Sequence, residues 1–375
     1  MRVARRAKEL QAEGREIIDL AAGEPDFPSP SVAVEAARRA LAEGRTRYTV
    51  AAGLPDLRAA LAEHYHALYG TPWQLPDVLV TVGAKAALYQ AVQVLVDEDD
   101  EVVLPTPAWV SFAEQVRLAG GRPVRVPTVA EEAFALCADP LLDAVTEKTR
   151  MILVNSPSNP TGATMAADEL RRLIEAAAER GVVVLCDETY ERFVYDGRRH
   201  ASCAALAAEH PDTVLLVGSF SKTYAMTGWR VGYALGPPAL IRKMAALQGH
   251  LTSNPTTFAM YGALAALRGA ENDVRQRVSE LERRRDLVVP RLGRIAGVRC
   301  VSPSGAFYVF PHVAACYCEG RRGSIELAEL LLERAGVALV PGLAFGADDH
   351  LRVSFGGSRE ELKRGMDRIE EVLVG

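Results

Sequence analysis

Lys222 stands in the stretch GSFSKTYAMTGWRVGYALG, Gly218 to Gly236, behind Ser219 and Ser221 and eight residues ahead of Arg230. The chain has six lysines among its 43 lysines and arginines, and four of them (8, 148, 243 and 363) lie in charge-rich or polar stretches that read as solvated surface. Lys222 instead has small, hydroxylic and aromatic neighbours. An amine in such surroundings is either a structural cation paired with a carboxylate such as Asp187, or a group whose lowered pKa suits Schiff-base chemistry. Asp187 closes the apolar run VVVLCDE (182–188), with Tyr190 three residues on. Asn155 falls in RMILVNSP (150–157) and Asn159 just beyond it; Trp109 follows DEVVLP (100–105); Ala84 and Lys85 follow DVLVTVG (77–83). A carboxylate, a phenol, amides, an indole, hydroxyls and a lysine, each at the end of an apolar run, form a constellation rather than scattered polar residues.

Such a constellation needs a scaffold. Six apolar runs without polar alternation (77–83, 100–105, 150–157, 182–188, 213–219 and 230–236) read as strands buried on both faces. Helical patterns between them, such as AKAALYQAVQVLV and AADELRRLIEAAAERG, predict an α/β fold with a mainly parallel sheet. Ligands of open sheets gather at the carboxyl ends of the strands, which is where these polar residues fall. From about residue 271 a long charged helix leads to segments that read as short strands, GVRCV, GAFYVF, GVALVP and LRVSF, and to a last helix. This α+β piece reads as a smaller domain, and the first forty residues, with two helical patterns, are expected to join it. The expected division is 41–285 for the large domain and 1–40 with 286–375 for the small one.

Composition narrows the function classes. With 375 residues, 49% of them hydrophobic, the chain can bury a substantial core. A formal net charge of −5 argues against a nucleic-acid surface. No apolar run reaches the ~18 residues of a membrane span, and the start RVARRAKELQAEGRE has no apolar signal core. Of the six scattered cysteines only Cys316 and Cys318 lie close, without a second pair or a histidine to complete a metal site, and no metal is expected. A cytoplasmic protein with reduced thiols is expected.

The stretch around Lys222 resembles a signature of the class I/II, fold-type I aminotransferases, enzymes that use pyridoxal 5′-phosphate (PLP). AAGEPDF (21–27), TRYTVAAGLPDLR (46–58), NSPSNPTG (155–162), CDETY (186–190), SPSGAFYVF (302–310) and LRVSF (351–355) are similar to further motifs of that family, in its order. The nearest branch resembles the bacterial aspartate aminotransferases of the Thermus type. The resemblance implies a seven-stranded sheet in the large domain and a role for each polar residue. Lys222 would hold PLP as an internal aldimine and afterwards shuttle a proton. Asp187 would face the pyridine nitrogen, and Tyr190 and Asn159 would donate to the phenolate oxygen. Ser219, Arg230 and the backbone N–H groups of Ala84 and Lys85 would bind the phosphate, and Trp109 would stack on the ring. Tyr48 would reach the phosphate from the partner subunit of a homodimer. Arg352, with Gly23 and Asn159 nearby, would bind the substrate α-carboxylate, and Lys85 the distal carboxylate of an acidic substrate.

Two departures concern the substrate side-chain pocket. Members of the family usually carry a further N-terminal stretch ahead of the point where this sequence opens, and Ala108 stands where an aromatic residue often precedes the tryptophan. The expected activity is transamination between an L-amino acid and a 2-oxo acid. A PLP-dependent lyase, or an elimination or replacement enzyme, is the alternative, and a PLP-bound sensor module a remoter one.

Overall fold

The computed structural model describes residues 2–318 and 322–374. After a two-residue strand, β1 (Ile18–Asp19), the chain builds a seven-stranded sheet from β2 (Val78–Thr81), β3 (Glu101–Thr106), β4 (Arg122–Pro127), β5 (Thr149–Asn155), β6 (Val183–Asp187), β7 (Val214–Ser219) and β8 (Gly232–Leu235). Their spatial order is β2-β8-β7-β6-β5-β3-β4. β8 runs antiparallel to both neighbours, β2 and β7, and the other pairs are parallel. β2, β7 and β8 are buried along their whole length, as their uninterrupted apolar character requires.

Six of these strands correspond to the apolar runs. The seventh, β4, has the sequence RPVRVP and is largely exposed or half-buried. It lies at the sheet edge, where prolines 123 and 127 and two arginines are tolerated and discourage further pairing.

Helices cover the sheet for the usual reason. Ala167–Glu179 has Asp168 and Glu169 in its first turn, favourable against the helix dipole. It buries Leu170, Leu173, Ile174 and Ala177, the i, i+3, i+4, i+7 stripe of a surface helix. Each of its large aliphatic side chains contributes roughly 1.5–3 kcal/mol by leaving water.

The C-terminal part carries β9 (Tyr308–Val309), β10 (Val337–Ala338), β11 (Val340–Pro341) and β12 (Leu351–Ser354). β11, β12 and β9 form an antiparallel sheet, and β10 pairs in parallel with β1, so the chain's beginning and end share a core. That core joins Leu10, Ile18 and Leu20 to Phe307, Val353 and Met366. GVRCV forms no strand; Arg299 alone bridges to His312.

One long helix connects the cores of the two sheets. Ala33, on helix Ser31–Ala42, belongs to the core of the large sheet. This helix lies against helix Thr257–Gly269, where a Cβ on Gly262 would meet the Ala33 carbonyl and the Trp229 ring. Helix Glu271–Leu292 serves both cores, with Val274 in one and Leu281 and Val288 in the other.

Candidate active site

The carboxyl ends of β2, β3, β5, β6 and β7 open onto one cavity of about 320 Å³. Because β8 is antiparallel, its beginning lies at this same edge: Gly232 pairs with Thr81 on one side and Ser219 on the other. Arg230, two residues earlier, is thereby delivered beside the ends of β2 and β7. Every expected site residue except Tyr48 lines the cavity.

One end of the cavity is built for an anion. Gly83 adopts a φ of 76° and precedes helix Ala84–Leu95, whose first N–H groups have no partner within the helix. A Cβ on Gly83 would collide with the Arg230 guanidinium, and one on Gly232 with the Ala84 amide nitrogen. Arg230 also donates to the Thr227 carbonyl at 2.7 Å, which fixes its direction. Ser219 Oγ accepts from Ser221 N at 3.0 Å, leaving its own O–H to donate. A guanidinium, a hydroxyl and a helix N-terminus together suit a phosphate.

The middle of the cavity holds the titratable groups. Burial raises the Asp187 carboxyl to about 6, against the lowering effect of its hydrogen bonds from Thr189; Thr189 N donates to Oδ1 at 3.1 Å. Asp187 forms no ion pair among the described residues, so the structural pairing with Lys222 that the sequence left open is not what holds either group. The Lys222 ammonium donates to the Gly23 carbonyl instead. Burial lowers the Lys222 pKa to about 8; Glu24 opposes this shift, and the positive charges of Arg230 and Arg352 reinforce it. Trp109 packs edge-to-face on Phe112, centroids 5.3 Å apart, and Lys85 Nζ lies 4.7 Å from the Trp109 ring centroid.

The far end is formed by the second core. Arg352, on β12, donates to Asn159 Oδ1 at 3.0 Å and to the Ala21 carbonyl at 2.7 Å. Its guanidinium lies 4.4 Å from the Tyr308 ring centroid, and its Nε is buried without a hydrogen-bond partner. With Oδ1 occupied, the Asn159 amide has its Nδ2 to offer. Tyr190 and Tyr308 share a hydrogen bond between their hydroxyls at 2.9 Å. Asn155 ties neighbouring strand ends together, donating to the Asp187 carbonyl at 3.0 Å and accepting from Asn159 N at 2.8 Å.

Tyr308 and Asn155 line the cavity without having been assigned a role from sequence. Asn155 belonged to the constellation of strand-end polar residues, whereas Tyr308 stood inside the quoted motif SPSGAFYVF and nothing short of the fold singled it out. Tyr48 is elsewhere: it is 87% exposed and borders a separate surface recess with Asn254 and Thr257.

This fold and site define an enzyme of the fold-type I kind, with a half-buried lysine and a buried carboxylate beside an anion cradle. The chain belongs to the aminotransferases of class I and II, whose family model matches residues 15–369. It is 43% identical over 372 residues to an aspartate aminotransferase of Geobacillus stearothermophilus, a match covering 99% of this chain and 95% of that one. A probable aspartate/prephenate aminotransferase of Aquifex aeolicus is also 43% identical, over 99% of this chain and 94% of the relative. The structure of the Thermus thermophilus aspartate aminotransferase with maleate superposes with a TM-score of 0.93 at 40% identity, covering 99% of this chain and 95% of that one. The activity is PLP-dependent transamination between an amino acid and a 2-oxo acid. These relatives do not favour the lyase or elimination alternative.

Proposed function

We propose that the cavity holds PLP and that the enzyme prefers acidic amino acids and their 2-oxo acids. The observation carrying this reading is that Lys222, Asp187 and the anion cradle open into the same cavity as Arg352. The residues fit the cofactor. The cradle depends on two glycines whose Cβ atoms would fill it, and Asp187 is a buried carboxylate without a direct ion pair among the described residues. Arg230, Ser219 and the N–H groups of Ala84 and Lys85 would hold the phosphate, Asp187 the ring nitrogen, and Trp109 the ring face. Tyr190 and Asn159 would donate to the phenolate oxygen. When bound, PLP supplies an electron sink for the substrate's Cα–H bond.

The chain's own residues do the rest. Arg352 binds the α-carboxylate through its guanidinium, with the Gly23 backbone and the Asn159 amide beside it. Lys222 would hold the cofactor through its amine, and its Nζ can accept and donate a proton. Its depressed pKa keeps a useful fraction in the basic form near neutral pH. Lys85, held over Trp109, faces the substrate side chain with a positive charge. The relative solved with maleate, a dicarboxylate, fits that assignment.

In the same reading the two cores are a large and a small domain that close over the substrate and exclude water. The enzyme is a cytoplasmic homodimer in which the exposed Tyr48 reaches the partner's phosphate site. Borohydride reduction followed by peptide mapping tests the central assignment. Cofactor mass is expected on the peptide containing Lys222, together with conversion of the bound cofactor by glutamate or aspartate. Label on another lysine, or a Lys222→Ala protein that transaminates at near wild-type rate, would overturn it.

A further inference from the structure

Behind the strand end that carries Asp187 lies a second group of reactive side chains that transamination does not use. Side chains alternate along β6. Asp187 lines the cavity, while Cys186 belongs to the core on the other side. There Cys203 opens the turn Cys203–Leu206. One ligand atom from each of Cys186, Glu188 and Cys203 lies within 4.8 Å of the other two, and all three residues are buried.

The carboxylate of this group is already oriented. Cys203 N donates to Glu188 Oε1 at 2.8 Å, and Ser202 Oγ donates to Oε2 at 2.7 Å. His200 Nε2 lies 3.0 Å from the same Oε2, with both side chains almost wholly buried. Each Glu188 oxygen thus accepts one hydrogen bond and retains a lone pair. Both ring nitrogens of His200 are buried without a hydrogen-bond partner.

We propose that Cys186, Cys203 and Glu188 form a binding site for a thiophilic divalent cation of the zinc class, with His200 and Ser202 as outer partners that orient the carboxylate. Two sulfurs and one carboxylate oxygen suit zinc rather than magnesium or calcium, which take oxygen alone. Three protein ligands leave one of the four tetrahedral positions open. Charge accounting permits the site deep in the core, because one divalent cation replaces the two protons of the thiols and the net buried charge is unchanged. The bound cation would tie the strand end that holds Asp187 to the Cys203 turn. Sequence spacing gave no such signal, since the two cysteines stand 17 positions apart without a CxxC pattern.

The test uses the PLP-loaded enzyme, freed of adventitious metal by a chelator, with Co²⁺ as probe. One cobalt per chain is expected, with a thiolate-to-cobalt charge-transfer band and an X-ray absorption spectrum reporting two sulfur ligands with oxygen. Because two protons leave, affinity should rise about a hundredfold per pH unit while both thiols are protonated. The band should disappear in Cys203→Ala and persist when Cys316→Ser and Cys318→Ser are combined. A wild-type spectrum without two sulfurs overturns the proposal whether or not any variant folds. A band that survives Cys203→Ala, or that follows Cys316 and Cys318, does so as well.

Discussion

Arg352 Nη1 donates to Asn159 Oδ1 across 3.0 Å, joining a strand of the C-terminal sheet to the loop that follows β5 of the large one. This bond holds the guanidinium at the mouth between the two cores, with its buried Nε still unpaired. The proposed role of this group is to bind the α-carboxylate that every substrate shares. Arg352→Lys removes the planar fork. Loss of one charge-assisted hydrogen bond of about 1.5–3 kcal/mol predicts a fall in kcat/KM of about 10- to 150-fold. The fall should be similar for aspartate and for alanine in steady-state assays, and a loss confined to acidic substrates would contradict the assignment.

Lys85 should behave in the opposite way. Its ammonium stands at a helix N-terminus, against the dipole, and is held over Trp109. Lys85→Ala is expected to lower kcat/KM for aspartate and glutamate by about 10- to 150-fold and to leave alanine or leucine unaffected. Equal losses on both kinds of substrate would mean that Lys85 serves the cofactor or the fold.

Lys222 makes the apoprotein's stability depend on pH. Its amine titrates near 8 in the folded chain against 10.5 when unperturbed, chiefly through burial. Between these values the unfolded chain binds the additional proton, so stability rises with pH across that window. Below it the folded chain carries the full cost of a buried ammonium. Lys222→Met apoprotein should therefore be more stable than wild type by on the order of 1–3 kcal/mol at pH 7, with the gap closing toward pH 10.5. Denaturant melts at two pH values read this directly, and a gap that widens with pH would refute it.

Gly83→Ala tests the anion cradle. The glycine combines a φ of 76° with a position where a Cβ meets Arg230. The alanine variant should fold, lose PLP during gel filtration, and recover activity only with excess cofactor. Unchanged PLP retention would show that Arg230 has room to move away and that the cradle is less constrained than its geometry implies.

Tyr48 tests assembly. It is 87% exposed and remote from the cavity of its own chain. Light scattering should give twice the 40.5 kDa chain mass, and Tyr48→Phe should weaken PLP retention without lowering the melting temperature of the apoprotein. An active monomer would remove Tyr48 from the site.

Much of this protein was legible in one dimension because its strands are short-range objects. Buried parallel strands are runs of apolar residues, and runs such as VVVLCDE announce both the strand and the polar residue that ends it. Lys222 stood out through its small and hydroxylic neighbours, which already implied desolvation, and its pKa near 8 is the consequence. β4 escaped because an edge strand need not be apolar, and GVRCV misled because an apolar run acquires strand character only when a partner backbone lies alongside it.

Tertiary structure alone decided which distant residues meet. The reversed direction of β8 brings Arg230 to the end of β2, a relation set by strand order that no local pattern encodes. The pairing of Tyr308 with Tyr190, and the gathering of Cys186, Glu188 and Cys203 behind Asp187, come from packing between segments separated in the chain. Sequence determines where polar groups interrupt apolar runs, because that is local. Which interruptions share a cavity depends on loop closures and sheet order, whose free energy belongs to the whole fold.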